Sequence, residues 1–167
     1  MQEALLLPAQ AIAAALDSCL PATHAAIIGQ GLLAAITEGL LTRRGVSLAP
    51  ATEKTVLPLL IDTTGEPSKW SQALPALQDE GTLLLLVPPW SEPIAYNFYP
   101  HLHRRSLRVV ARRWHYPLPL SDDITADSLY SLVSTIVREG QWVRPFDHPN
   151  TNPDEGVWRW LLLTLKP

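Results

Sequence analysis

Apolar residues along this chain follow two rhythms. Short continuous runs, HAAIIG at 24–29, VLPLLID at 56–62, TLLLLV at 82–87 and LRVVA at 107–111, read as strands covered on both faces. Between them, apolar residues recur three and four apart, the signature of helices. Residues 3–16, rich in Ala and Leu, predict a helix starting near Pro8, since proline is tolerated in a first turn. Residues 31–44 predict a helix that buries Leu32, Leu33, Ile36 and Leu40 and stops at Arg43, Arg44 and Gly45, two cations and a glycine suited to a C-terminus. A short second strand is expected at 46–49. The turn Thr63-Thr64-Gly65-Glu66-Pro67 leads into an expected helix at 68–79 carrying Trp70, Leu74 and Leu77. Capping residues within 121–127 open a helix at 125–139, and a last strand is expected at 160–165. Strands alternating with helices predict an α/β protein with a mostly parallel sheet.

Composition narrows the class. A chain of 167 residues with 47% hydrophobic and 17% charged residues suits one domain over residues 1–167 with a substantial core. The start Met1-Gln2-Glu3 lacks the basic opening of a signal peptide, and Pro, Gln, His and Gly interrupt the apolar stretches, so a cytoplasmic protein without membrane insertion is expected. Cys19 stands alone, which excludes an internal disulfide and a cysteine-based zinc site. The formal net charge of −3 gives no general reason to expect nucleic acid.

The chemistry-bearing feature is the passage from strand to helix at Gly29-Gln30-Gly31. A dinucleotide's pyrophosphate is held by this arrangement: the first glycine permits the tight turn, the second lets a phosphate approach the backbone, and the helix end offers free N–H groups and a positive dipole. Gly29, Gln30, Gly31, Leu32 and Leu33 are the candidate cofactor-binding residues, with Ala34 in the packing position of the third glycine. The bland alternative is a helix that packs closely on a sheet.

In this order the segments resemble the cofactor-binding half of the medium-chain dehydrogenases, the zinc alcohol dehydrogenase and quinone reductase superfamily. IIGQGLLA is similar to the family's glycine turn, LLIDTTGEPSKWSQAL to its strand and helix around Asp-x-x-Gly, and EGTLLLLVPPWSEPIAYNFYPHLHRRSLRVVA to its next two strands. VSTIVREGQWVRPFDH and LLLTLKP resemble its last helix and strand. The resemblance implies a reduced Rossmann-like three-layer sandwich whose mostly parallel sheet has about six strands; it also implies NAD(P) as cofactor, adds Thr64 to the residues facing it, and implies a homodimer built by sheet extension.

Four departures qualify that implication. The family's catalytic half has no counterpart in these 167 residues. The acidic residue expected about 20 positions beyond the turn, which binds the adenosine ribose, is replaced by Ala49 between Leu48 and Pro50. Glu53, or Arg43 and Arg44 for a phosphorylated ribose, are possible substitutes, more simply read as solvated charges. Val87-Pro88 stands where the family has Val-Gly beside the nicotinamide, and proline has no N–H to donate. Finally, only residues 50–55 connect the second strand to the 56–62 strand, so the domain is shortened there. Such a link spans at most about 20 Å, against a return of near 17 to 19 Å if both strands are full length. Either 46–49 is a stub or the link runs extended across the sheet, and both remove the outer wall of an adenine cleft.

The expectation is therefore a degenerate dinucleotide-binding fold, a non-catalytic binding or assembly subunit acting as a homodimer or with a partner enzyme, with no catalytic residue assigned. The alternative is an NAD(P)-dependent oxidoreductase component working with a separate catalytic chain, in tetrapyrrole or secondary metabolism, with Tyr96, Tyr99 and His103 as candidates for proton transfer near the C-terminal edge of the sheet. His101, His103, His115 and His148 lack a carboxylate at matching spacing, and no metal is expected. Arg104, Arg105, Arg108, Arg112 and Arg113, with Trp114 and Tyr116, form a basic cluster that reads either as a surface for an anionic partner or as a charged sheet edge. Trp142, Trp158 and Trp160 are equally core or interface anchors.

Overall fold

A computed structural model describes residues 2–19, 21–52, 54–86, 97, 99–111 and 125–138. Five strands, β1 (His24–Ile28), β2 (Ser47–Leu48), β3 (Leu57–Asp62), β4 (Leu77–Leu85) and β5 (Arg108–Ala111), form one sheet in the order β2-β1-β3-β4-β5. Every pairing is parallel. The sixth strand expected at 160–165 lies outside the described residues. Among the described residues no helix is long and apolar enough to cross a membrane.

Alternation along the central strands, shifted once between Leu57 and Leu59 of β3, splits the core in two. Ala25, Leu59, Ile61 and Leu84 face a layer made by α1 (Gln2–Asp17), α2 (Leu32–Arg43) and α4 (Ala126–Arg138). Ala26, Ile28, Leu60 and Leu83 face the opposite layer, where Ala73, Leu74, Ala76 and Leu102 cover them. Burial on both faces is what a parallel sheet demands, and it explains why the paired stretches 25–28, 59–61 and 83–86 are apolar without interruption.

Two helices differ from expectation. Pro8 lies inside α1 rather than at its start. A proline there forfeits one backbone hydrogen bond, and burial of Pro8, Ala9, Ile12, Ala13 and Leu16 in the helical layer offsets that loss. The helix expected at 68–79 is a broken helical segment over 67–76 instead: 3-10 turns at Pro67–Lys69 and Leu74–Ala76 flank the four-residue α3 (Trp70–Ala73). Pro75 removes the N–H needed to continue the ladder, and the Arg105 guanidinium takes the Leu74 and Leu77 carbonyls that a longer helix would have used. Residues 77–79 therefore join β4.

The short link is resolved by the stub. β2 pairs only with the start of β1, His24 with Ser47 and Ala25 with Leu48, while Ala25 pairs on its other side with Leu59. The chain must then cross two strand spacings and drop only from the level of Leu59 to Leu57, about 12 Å. That leaves slack, which is taken up in a turn: the Thr55 N–H donates to the Thr52 carbonyl at 2.9 Å, and the Thr55 hydroxyl donates to the Pro50 carbonyl at 2.9 Å. Ala49 and Ala51 pack on the second apolar face as the link passes.

Arg44 joins α2 to α1. Its side chain is only 6% exposed, pairs with Asp17 and donates to the Ala13 carbonyl at 3.3 Å. Replacing it with alanine strands acceptors at the C-terminus of α1, so Arg44→Ala is expected to cost about 2 kcal/mol and to lower the thermal midpoint by about 4 to 8 °C, measured by calorimetry against wild type. An unchanged midpoint would show that this pair contributes nothing.

Candidate functional site

β1 and β3 lie side by side, yet the chain leaves them in opposite directions, β1 toward β2 and β3 toward β4. The crevice at the carboxyl ends of two such strands is where open α/β sheets bind ligands. The residues at those ends are the glycine turn after Ile28 and the turn Thr63-Thr64-Gly65 after Asp62.

The two turns interlock. Thr63 donates both its N–H, at 3.0 Å, and its hydroxyl, at 2.9 Å, to the Ile28 carbonyl. Gly29 has φ +120°, and a Cβ there would collide with Thr63 Oγ1 and lie 2.6 Å from Thr64 Cγ2. Glycine is thus required twice, by conformation and by space. Gly31, at φ 91° and ψ −162°, is the N-cap of α2, and its carbonyl accepts the Ala35 N–H at 2.9 Å. No side chain caps this helix and no acidic residue lies in its first turn. Leu32, Leu33 and Ala34 send their side chains into the core, while Gln30 is exposed. The first-turn N–H groups and the helix dipole are therefore the polar equipment at this end of the crevice.

Beneath the second turn lies a network that sequence reading did not assign. Asp62 is fully buried. Its Oδ1 accepts the Thr64 N–H at 2.8 Å and the Thr64 hydroxyl at 2.7 Å, and its Oδ2 accepts the Trp70 indole N–H at 2.9 Å. Thr64 Oγ1 in turn accepts the Glu66 N–H at 3.0 Å. The hydroxyl of Thr64 is thus engaged within its own turn, and its methyl is what meets Gly29. The legible signal was Asp-x-Thr-Gly directly after a strand, the pattern of a side chain folding back on the backbone two residues on.

The other sequence candidates lie elsewhere. Ala49 occupies the ribose position, its N–H donating to the Ala25 carbonyl at 3.0 Å. Of the two arginines at the end of α2, Arg44 is not a solvated charge, since it is tied to α1, whereas Arg43 is exposed and donates to the Ser128 carbonyl of α4. Glu53, Tyr96, Val87 and Pro88 lie outside the described residues, as do His115, His148 and the C-terminal tryptophans. Tyr99 and His103 are not at the C-terminal edge of the sheet. They stack at 5.7 Å between ring centroids in a π-helical turn, Tyr99–His103, that leads into β5. This turn is anchored beside the start of β4, where the Glu80 N–H donates to the Arg105 carbonyl at 2.9 Å. The crossover from β4 must return the chain to the N-terminal edge before a parallel β5 can begin, which carries these residues away from the crevice. Among the described residues no three His, Cys, Asp or Glu side chains gather as metal ligands.

No protein-family model matches the sequence, and no curated protein matches it either. Solved structures do. L-Idonate 5-dehydrogenase from Escherichia coli superposes with a TM-score of 0.54 at 14% identity, over 84% of this chain and 47% of that one. For 2R,3R-butanediol dehydrogenase from Bacillus subtilis the values are 0.52 and 16%, over 83% and 46%. For acetophenone reductase from Geotrichum candidum in complex with NAD they are 0.51 and 14%, over 83% and 45%. The shared part is the Rossmann-type half, so the chain has the fold its sequence resembled and spans about half the length of the structures it matches.

Two substitutions test the interlock. Gly29→Ala is expected to cost about 3 kcal/mol through backbone strain and the Thr63 collision, read as a lowered urea midpoint. Asp62→Ala leaves two Thr64 donors and the Trp70 indole N–H without their acceptor, an expected loss of about 2 to 4 kcal/mol. Asp62→Asn, which keeps one acceptor, should fall between that variant and wild type.

Proposed function

We propose that this chain is a binding or assembly subunit built on a dinucleotide-binding fold, without hydride transfer of its own. The observation that carries the reading is the edge of the crevice at β2. A two-residue strand gives way to Ala49, whose N–H is tied to β1, and the chain then crosses to β3. The ribose-binding carboxylate and the strand that would wall an adenine pocket are both missing among the described residues.

The fit to NAD(P) is therefore partial. A pyrophosphate suits the uncapped start of α2, where Gly31 and the N–H groups of Leu32 and Leu33 could meet it. The adenosine end does not fit: no carboxylate stands at the ribose position, and Arg43 and Arg44 are both engaged with neighbouring helices. A bidentate ribose contact is worth about 3 kcal/mol, on the order of a hundredfold in affinity. NADH and NADPH should thus bind weakly and alike, no tighter than about 0.1 mM.

In this reading the protein works through an assembly, as a homodimer or with a partner enzyme. The family resemblance, which implies a homodimer built by sheet extension, supports it.

Titration with NADH and NADPH, followed by nicotinamide fluorescence, should show weak and equal binding, and light scattering should give a mass above that of one 18.5 kDa chain. Micromolar affinity for either nucleotide, or turnover of a carbonyl substrate, would defeat the reading in favour of an oxidoreductase component.

A further inference from the structure

Charge is strongly segregated along this chain. Residues 93–121 hold five of its 13 basic side chains, three of its five histidines and none of its 16 acidic residues, so a net charge of −3 combines a +5 run with a remainder of −8. All five cations are arginines.

The described part of the run places several exposed side chains in the turn before β5 and at the strand's first residue. Tyr99 is 67% exposed and stacks on His103, itself exposed. Arg104 follows on the same turn, and Arg108 opens β5; both are exposed. Arg105 is not part of this surface: it pairs with Asp79 at 2.9 Å and holds the Leu74 and Leu77 carbonyls, so it anchors the turn and neutralises the nearest acid. Glu80 is the one exposed acid left beside the turn among the described residues.

A charged edge can serve simply to deter wrong pairing. That role does not call for an exposed tyrosine stacked on a histidine. Exposed aromatic and arginine side chains are instead the residue types enriched in binding hot spots.

We propose that Tyr99, His103, Arg104 and Arg108 form a docking surface for an acidic polypeptide segment of another protein chain. Guanidinium forks match carboxylates in a bidentate way that lysines do not. The net −8 on the rest of the chain repels an extended polyanion such as a nucleic acid, whereas a short acidic segment meets only the basic edge. The proposal specifies the chemistry of the partner in the assembly reading above. It lies apart from the crevice, so nicotinamide affinity and this binding can fail separately.

The test is fluorescence anisotropy of a labelled glutamate-rich peptide, compared with a single-stranded oligonucleotide of equal charge, on the full chain at low and at near-physiological salt. The peptide should bind saturably, more weakly as salt rises, and more tightly than the oligonucleotide. Arg104→Glu with Arg108→Glu should reduce peptide affinity about tenfold or more with an unchanged melting profile. Lys54→Glu with Arg138→Glu, an equal change in net charge at distant exposed sites, should reduce it far less. Equal loss in both double variants, tighter binding of the oligonucleotide, or no peptide binding at all would overturn the proposal.

Discussion

The contact between Gly29 and the Thr63-Thr64 turn is the constraint on which the rest of the crevice depends. Two neighbouring parallel strands can end level only if the turns that leave them fit past one another. Here the fit leaves no space for a Cβ at Gly29. Asp62 holds the second turn by accepting two donors from Thr64 and one from Trp70, which links the strand end to the helical segment covering the opposite face. A buried carboxylate is costly unless its oxygens are satisfied, and three donors to two oxygens supply that. The first glycine of a ligand-binding motif is thereby also a packing residue. A glycine at that position has a structural reason to persist whether or not a phosphate ever binds.

The shortened link has consequences well beyond its few residues. Because β2 reaches only the first two residues of β1, the return to β3 is short and the connection relaxes into a threonine-pinned turn. The same economy removes the edge of the crevice, since β2 gives way at once to Ala49, a small apolar residue whose backbone is bound to β1. The fold survives because its core lies on the central strands and on the layer of α1, α2 and α4, none of which needs a longer β2. Scaffold stability and nucleotide recognition thus separate: the first is set by apolar faces in the middle of the sheet, the second by polar groups at its ends.

Much of the architecture was legible in the sequence. The strands β1, β3 and β5, the helices α2 and α4, and the two-residue β2 all fall where runs and periodicities place them. Two elements were not legible. Helix 68–79 failed because Pro75 breaks the ladder and Arg105, about thirty residues further along, satisfies the freed carbonyls, a long-range contact that no local window contains. Pro8 was read as a helix start because the rule is local, whereas burial of the helix face is tertiary.

The division has a physical basis. Covalent order alone determined the alternation of strand and helix, the parallel sheet, the glycine turn, the missing ribose carboxylate and the clustering of arginines, since each depends on residue type and spacing. Tertiary structure decided which charges are free. Arg44 and Arg105 look the same in the sequence as Arg104 and Arg108, yet the first two are consumed by backbone and carboxylate partners and the last two stand exposed. It also decided where Tyr99 and His103 lie, because a parallel crossover carries the chain to the far end of the sheet before the next strand begins. Spacing along a chain fixes which side chains share a face, but which of them meet depends on distances across the fold.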